Sequence, residues 1–289
     1  MKAQKSLETV SVVIPTLNRC LLLKRAIDSV LNQSVSPNEV IVIDNGSSDE
    51  TINMISTNYP DIIFLTEEKI GVSASRNQGI KKSNSEWVAF LDSDDVWEPF
   101  KLEKQLTFNN RFKTNFRFIH TNETWIRNGK FLNQMKKHEK SGGDLFKNCL
   151  KLCCISPSSS MIKKEVFKDY GFFDEELQVC EDYDMWVRIT AKENVGYLSE
   201  PLVIKYGGHA DQLSKKYWGM DRFRIKSLEK NINSNWFSKD QNKYAYETLI
   251  KKLQIVLSGA KNRNNTELSN IYSEKLGFWQ SCSNSINYD

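Results

Sequence analysis

Short apolar runs rich in β-branched residues alternate with helical patterns along the first third of the chain, and this alternation constrains the fold more than any other feature. Between the first two runs, apolar residues in 21–33 recur at the spacing of one helix face. Strands separated by helices at this interval predict parallel strands, joined by crossover helices, in an α/β sheet. The four predicted strands are Val10–Ile14, Val40–Ile43, Ile62–Leu65 and Trp87–Leu91.

Polar and charged residues follow these predicted strands where they end. Pro15 and Thr16 close the first run, and Asp44 follows the second. Arg76 lies in the loop and helix after the third run, and Asp92 follows the fourth. Open α/β sheets bind their ligands beyond the carboxyl ends of the strands. We therefore expect Thr16, Asp44, Arg76 and Asp92 to lie near one ligand-binding edge.

The fourth run leads directly into three carboxylates. Asp92, Asp94 and Asp95 fall within four positions, with Ser93 between the first two. Carboxylates this close raise each other's pKa unless a cation shares the site or water reaches them. A hard divalent cation with oxygen ligands, Mg²⁺ or Mn²⁺, suits such a group. The alternative is a solvated acidic turn.

Two common phosphate-binding loops are absent from the sequence. The segment 15–19 contains no glycine, so the Gly-x-Gly-x-x-Gly turn of dinucleotide-binding folds is missing, and the chain has no Gly-Lys-Ser/Thr loop. Diphosphate must be held in another way. A metal bridging Asp92 and Asp94 to a diphosphate would neutralise both sides.

Four segments of the chain resemble, in order and spacing, the signatures of family 2 glycosyltransferases with the GT-A fold. The resemblance covers about residues 10 to 210. It implies an α/β fold with a mostly parallel central sheet flanked by helices. The four segments are Val12–Arg19, Val42–Asp49, Gly71–Asn77 and Phe90–Asp95.

The resemblance also implies roles for individual residues. Asp44 would accept the imide N–H of a uracil or thymine, although turn or helix-cap duty is the alternative for this residue. Asp94 would touch the metal directly, whereas Asp92 would face the ribose or a metal-bound water. Asp95 is a further candidate. The residues that would bind the nucleotide-sugar are Pro15, Thr16, Asn18, Arg19, Asp44, Arg76, Asn77, Asp92 and Ser93.

A second acidic stretch begins a predicted helix at Glu181. Asp182 stands in helical register with Met185, Trp186 and Ile189, so we expect it to face inward, with Asp184 and Arg188 off this buried stripe. A helix N-terminus favours an ionised carboxylate, as a general base requires. The resemblance places the catalytic base on this acid pair, at Asp182 with Glu181 beside it. The alternative is an N-cap without chemistry.

A glycine-rich segment, Gly207–Ser214, carries one of only three histidines. It resembles a late segment of many such enzymes, in which a histidine completes the metal or diphosphate site. His209 is therefore a candidate metal ligand, together with Asp94 and Asp92. A surface histidine in a turn is the alternative. His120 and His138 have no comparable setting, and we expect them to be structural.

The composition changes after about residue 215. We expect a glycosyltransferase domain over 1–215, with a nucleotide-binding half at about 8–100 and an acceptor half at about 101–215. A helical extension follows over 216–289, where three helical patterns are separated by Asn- and Ser-rich links. Its basic residues most simply form solvated helix faces. Contact with an anionic membrane and a homodimer through these helices are the alternatives.

Charge and cysteine usage restrict the class of partner. The net charge is +4, and no nucleic-acid-reading motif is present, so we expect no nucleic-acid partner. The six cysteines lack Cys-x-x-Cys spacing, which favours reduced thiols and a cytoplasmic protein. The sequence shows no secretory leader and no run of about 18 apolar residues, so any membrane association would be peripheral.

Together with these features, the resemblance implies metal-dependent, inverting transfer of a sugar from a nucleoside-diphosphate sugar. UDP-sugars are favoured as donors, and a hydroxyl group of a glycan or lipid-linked glycan is the expected acceptor. One alternative is a catalytically inactive, nucleotide-binding scaffold of the same fold. The other is a sugar-nucleotide pyrophosphorylase, which would need a glycine-rich, basic loop where this chain has 15–19.

Overall fold

The computed structural model describes residues 8–111, 115–133, 135, 138–208 and 217–286. These residues fall into two compact units. The sheet unit holds all nine described strands and comprises the described residues up to 145, together with 154–178 and 193–208. The strands are β1 (Val10–Thr16), β2 (Glu39–Asp44), β3 (Ile63–Thr66), β4 (Trp87–Phe90), β5 (Val96–Trp97), β6 (Phe118–Arg127), β7 (Lys130–Leu132), β8 (Ser160–Lys163) and β9 (Gly196–Gly207).

The helices are divided between the units. Those of the sheet unit are α1 (Cys20–Leu31), α2 (Thr51–Asn58), α3 (Val72–Lys82), α4 (Lys101–Arg111) and α6 (Lys164–Tyr170). Those of the helical unit are α5 (Phe146–Lys151), α7 (Glu181–Thr190), α8 (Asp221–Asn233), α9 (Lys239–Asn262) and α10 (Thr266–Ile286).

The described strands form one mixed sheet in the order β3-β2-β1-β4-β8-β6-β9-β5, with β7 paired to β6. The first four strands of this order are parallel, so their carboxyl ends meet at one edge. Thr16 at the end of β1 stands in register with Asp44 at the end of β2. The residues that the sequence places after these strands are thereby brought to a common edge.

The predicted periodicity explains how the parallel half packs. In α1, Leu23, Ala26, Ile27 and Val30 are fully buried, as expected for one face of a helix. Helix α3 packs tightly against β1 at Gly79, where an added Cβ would lie 2.3 Å from a methyl carbon of Val13. Only glycine allows this contact.

The other half of the sheet is mainly antiparallel. The predicted turn at Asn128 and Gly129 joins β6 and β7, and both residues have positive φ angles, of 50° and 73°. The short strand β5 pairs with β9 so that Val96 is opposite Ile204. This pairing brings the end of β9 beside the acidic loop that follows β4.

The helical unit contains α5 and α7 together with the C-terminal helices. The hydroxyl group of Tyr183 in α7 donates to the carbonyl oxygen of Leu150 in α5, at 2.7 Å. Helix α9 begins with a capping box in which Ser238 and Gln241 satisfy each other's backbone N–H groups. Within the described ranges, no helix is long and apolar enough to cross a membrane.

The predicted α/β fold with C-terminal helices is confirmed. The domain boundary near residue 215 stays a prediction. The structure groups α5 and α7 with the C-terminal helices, whereas the sequence pattern assigned them to the preceding domain.

Candidate functional site

The ends of β1 and β2 carry buried polar side chains, Thr16 and Asp44. Asp44 is 1% exposed, and its Oδ2 accepts the backbone N–H groups of Gly46 at 3.2 Å and Ser47 at 2.9 Å. Its other oxygen, Oδ1, is buried and has no hydrogen-bond partner among the described residues, and neither has the buried hydroxyl group of Thr16. Buried polar atoms normally have partners. One oxygen of Asp44 thus stabilises the turn after β2, and the other has no partner among the described residues.

Asn18 and Pro15 shape the loop after β1. Asn18 has a positive φ of 52°; its N–H donates to the hydroxyl oxygen of Ser47 at 2.8 Å, and its Oδ1 accepts the N–H of Ser48 at 2.7 Å. These bonds tie the loop after β1 to the loop after β2. Pro15 is buried within β1, opposite Ile43.

Arg76 and Asn77 lie next to each other in α3 and have different surroundings. Arg76 is 3% exposed and donates from Nη2 to Oδ1 of Asp92 at 2.7 Å. The amide of Asn77 donates to the carbonyl oxygen of Phe173 and to Glu175, and it accepts the N–H of Phe173. Asn77 therefore holds the 173–175 segment, while Arg76 contacts the acidic loop directly.

The acidic loop after β4 is balanced by cations from other elements. Nη1 of Arg19 forms an ion pair with Oδ2 of Asp94 at 2.9 Å, and Arg25 donates to the carbonyl oxygen of Asp94 at 2.8 Å. Burial raises the pKa of Asp92, but the positive charges of Arg76 and Lys205 outweigh it and hold that pKa below its usual value. Asp92 is thus ionised. Ser93 is buried between the two acids.

Asp95 is buried and fully hydrogen-bonded. Its Oδ2 accepts the hydroxyl group of Ser158 at 2.6 Å and lies 3.1 Å from Nζ of Lys205, while its Oδ1 accepts the N–H of Tyr206 at 3.2 Å. Burial, together with the charges of Asp94 and Asp92, raises the pKa of Asp95 to about 7 despite the opposing effect of Lys205. Sequence reasoning missed Lys205. The available signal was a lysine that interrupts an apolar run before a candidate site loop.

Asp92 and Asp94 offer oxygen ligands that suit a hard divalent cation. The described residues contain no group of three or more histidine, cysteine or acidic side chains placed to hold a metal ion. Oδ1 of Asp94, however, has no partner in the described part of the chain. Magnesium sites often consist of one or two carboxylates completed by substrate phosphates and water. The donor set fits that kind of site. His209, the third predicted ligand, lies outside the described residues.

The second acid group begins α7 in the helical unit. Asp182 is half-buried; its Oδ2 accepts the thiol of Cys153 at 3.0 Å, and its Oδ1 accepts the N–H of Tyr183 at 2.7 Å. Cys180 at the N-cap has a left-handed backbone, with φ of 63°. Glu181 is 6% exposed. The carboxylate of Asp182 is therefore held by few groups and remains accessible.

The predicted orientation of α7 is wrong, because Asp182 is only half-buried, whereas Asp184 and Arg188, which were predicted to lie off the buried face, are buried. Asp184 is fully buried and Arg188 is 7% exposed. Nε of Arg188 donates to Oδ2 of Asp184 at 2.9 Å, and Ser227 and Asn231 of α8 donate to its Oδ1. The helix is covered on more than one side, so a single apolar stripe does not define its buried surface.

A sequence model of the family described as Glycosyl transferase family 2 matches residues 11–171. This range includes the acidic loop after β4 and ends before α7.

Several proteins are similar in sequence. MJ1057 of Methanocaldococcus jannaschii, named as an uncharacterized glycosyltransferase, is 30% identical over 207 residues, which are 68% of this chain and 70% of that protein. WfgD of Escherichia coli, named as a UDP-Glc:alpha-D-GlcNAc-diphosphoundecaprenol beta-1,3-glucosyltransferase, is 28% identical over 192 residues, covering 66% of this chain and 73% of that protein. An uncharacterized glycosyltransferase of Rickettsia bellii is 35% identical over 67% of this chain. The match spans only 28% to 32% of the length of three Rickettsia relatives.

The fold is similar to that of a solved structure. Residues 1–349 of TarS from S. aureus, crystallised with UDP, superpose with a TM-score of 0.61 at 17% identity, covering 92% of this chain and 90% of that chain. The same TarS fragment with UDP-GlcNAc gives a TM-score of 0.60. This likeness confirms the predicted GT-A fold.

Proposed function

Because this chain belongs to glycosyl transferase family 2, we propose that it transfers a sugar from a UDP-sugar to a hydroxyl group of a glycan or lipid-linked glycan. The observation that carries the choice of donor is the unpartnered Oδ1 of Asp44 beside the unpartnered hydroxyl group of Thr16. Uracil presents an imide N–H next to carbonyl oxygens. A buried carboxylate oxygen and a hydroxyl group match that pattern of donor and acceptors.

The names of similar proteins support the same donor class. WfgD of E. coli is named for UDP-Glc and for an acceptor on diphosphoundecaprenol, and TarS was crystallised with UDP and with UDP-GlcNAc. A UDP-sugar donor is therefore the first hypothesis to test. A lipid-linked glycan is the corresponding hypothesis for the acceptor.

The residues of the sheet unit are proposed to hold the donor. Thr16 and Asp44 bind the base, and Arg76 and Arg19 offset the charge of the acidic loop where the diphosphate binds. Asp94 and Asp92 would hold a divalent cation, Mn²⁺ or Mg²⁺, which neutralises charge on the leaving diphosphate. Electrostatic stabilisation of that leaving group is expected to be the largest catalytic contribution.

Asp182 is proposed as the general base. Its half-buried carboxylate at the start of α7 takes the proton of the acceptor hydroxyl group, whose oxygen attacks the anomeric carbon as the bond to the diphosphate breaks. Attack from the face opposite the diphosphate inverts the anomeric configuration. Glu181, more deeply buried beside it, is the second acid of the pair.

Thermal unfolding with a panel of nucleoside diphosphates tests the donor site, because a ligand that binds only the folded state must stabilise it. UDP at about 100 times its dissociation constant should add about 2.7 kcal/mol, and Mn²⁺ should enlarge the effect. A matched assay then follows release of UDP from UDP-sugars with glycan acceptors. Stabilisation by UDP without any turnover would favour the inactive scaffold. Formation of a nucleotide-sugar from UTP and a sugar phosphate would favour the pyrophosphorylase.

A further inference from the structure

The three acids after β4 are each held by a different cation. Asp94 contacts Arg19, Asp92 contacts Arg76, and Asp95 contacts Lys205. The two arginines come from segments that the family match covers, whereas Lys205 lies near the end of β9, beyond it. Of these three cations, only Lys205 lies outside both the sequence motifs and the region that the family model matches.

The backbone determines where Lys205 lies. Strand β5 follows the acidic loop directly, and its pairing with β9 places Val96 opposite Ile204, the residue before Lys205. The N–H of Tyr206, the residue after it, donates to Oδ1 of Asp95. Lys205 is therefore held beside the loop from both sides, independently of its own charge.

The ammonium group of Lys205 has N–H donors without acceptors among the described residues. An ammonium group carries three N–H donors. Among the described residues, only Oδ2 of Asp95, at 3.1 Å, is within hydrogen-bond distance of Nζ, and Oδ2 of Asp92 lies 4.0 Å away. The ammonium group therefore lies within ion-pair distance of both carboxylates, and the side chain of Lys205 is 28% exposed. A charged, half-buried ammonium group with unused donors calls for an anionic partner.

The charges of the side chains around Lys205 also favour an anionic partner. Arg19, Arg25, Arg76 and Lys205 are four cations around the three carboxylates of the loop. Glu123, which also acts on Lys205, is offset by its own ion pair with Lys140 at 3.3 Å. An excess of positive charge at the carboxyl edge of a sheet suits a diphosphate.

We propose that Lys205 binds the diphosphate of the donor directly, and that Asp95 is a positioning residue that holds Lys205 for this contact. The inference rests on the proposed function, because it assumes that the edge beside Asp92 receives a nucleoside-diphosphate sugar. It assigns Asp95 a role other than metal ligand, since both of its oxygens are already engaged.

Isothermal titration of UDP and of uridine against the same variants tests the proposal, because uridine has the base and ribose but no phosphate. Lys205→Met should weaken UDP binding about ten- to a hundred-fold, as expected for loss of a hydrogen bond to a charged group, and should leave uridine binding within about twofold. Lys205→Arg should recover most of the UDP affinity. The titrations are run with Mn²⁺ and again with EDTA, so that an effect on the metal is separated from one on the phosphate.

Two further variants separate phosphate binding from a merely structural role. Lys163→Met removes a lysine of the sheet unit that is paired with Glu8 at 2.7 Å, and it should leave UDP binding unchanged. The double variant Asp95→Asn with Lys205→Met removes both charges, so Asp95 is not left unpaired, and UDP binding should remain weak. Recovery of UDP affinity in the double variant, or equal losses for UDP and uridine, would overturn the proposal. Failure of the unaltered protein to bind UDP would instead overturn the proposed function.

Discussion

The two acid clusters of this protein have nearly the same composition, but their carboxylates have different surroundings. Each places three carboxylates within four residues, at 92–95 in the sheet unit and at 181–184 in the helical unit. In the loop after β4, the three acids are each met by a cation from another element. In α7, Asp184 lies in a buried hydrogen-bonded network, whereas Asp182 is half-buried and has Cys153 as its single side-chain partner in the described part of the chain.

Backbone geometry explains the difference. A loop at the end of a strand can direct successive side chains toward one region, so its carboxylates share neighbours and act together. Successive residues of an α-helix point about 100° apart, because 3.6 residues complete a turn. Asp182 and Asp184 therefore face different surroundings, and their roles diverge. Acids that are close in sequence act as one site only where the backbone lets them converge.

The variant Asp182→Asn is the strongest test of the different roles proposed for the two clusters. If Asp182 is the general base, turnover should fall about 10²- to 10⁴-fold, the usual contribution of general base catalysis. Binding of UDP should not change, because the residues proposed to hold it belong to the other cluster. Steady-state kinetics and UDP titration measure the two effects separately. Normal turnover would remove Asp182 from the mechanism.

The second prediction concerns the buried acid of the same helix. Asp184→Ala leaves Arg188 buried without its carboxylate, and breaking a buried pair in this way costs about 3–5 kcal/mol. The free energy of unfolding, measured with denaturant, should fall by this amount. Asp182→Ala is the matched control and should cost less than about 1 kcal/mol, since the group is half-buried and accepts few bonds. Equal losses would contradict the division of roles within α7.

The sequence predicts the surroundings of the acids at 92–95 far better than those of the acids at 181–184. Thr16, Asp44 and Asp92 could be placed together because parallel strands bring their carboxyl ends to one edge, and this needs only the alternation of strands and helices. The partners of Asp184, by contrast, are Ser227 and Asn231 of α8, which no local pattern connects to α7. A helical stripe identifies one buried face, but not a second face covered by a distant helix.

Lys205 was missed for a related reason. Its position depends on the pairing of β9 with β5, and no sequence pattern predicts β5, which is a strand of only two residues. Long-range antiparallel pairing leaves little local signal, whereas the motif residues follow their own strands directly. The missed residues are those whose neighbours come from distant parts of the chain.

The third prediction tests the ligand-binding role of Asp44 in the sheet unit. In Asp44→Asn, the oxygen that accepts the N–H groups of Gly46 and Ser47 can be kept, so the amide NH₂ replaces the unpartnered Oδ1. A donor in this position opposes the imide N–H of uracil but pairs with N3 of cytosine. UDP affinity should fall by about 1–3 kcal/mol and CDP affinity should rise, as titration of both nucleotides would show. Unchanged preference for UDP would place the base elsewhere.

The smallest expected effect concerns the thiol that orients Asp182. Cys153 is the only side chain among the described residues shown to donate to this carboxylate, at 3.0 Å, so Cys153→Ala frees the group without removing it. Loss of one hydrogen bond is worth about 0.5–1.5 kcal/mol, which corresponds to a decrease in kcat of about two- to tenfold. Cys153→Ser, which keeps a donor, should retain most of the activity.

The matched control for this variant is the neighbouring half-buried cysteine. Cys154→Ala changes a residue of the same type and similar exposure, and should leave kcat unchanged. Neither alanine variant should alter UDP affinity, because the effect belongs to the helical cluster alone. A loss of UDP affinity in Cys153→Ala would show that the two clusters are coupled. The proposed division between a donor-binding cluster at 92–95 and a general base in α7 would then have to be abandoned.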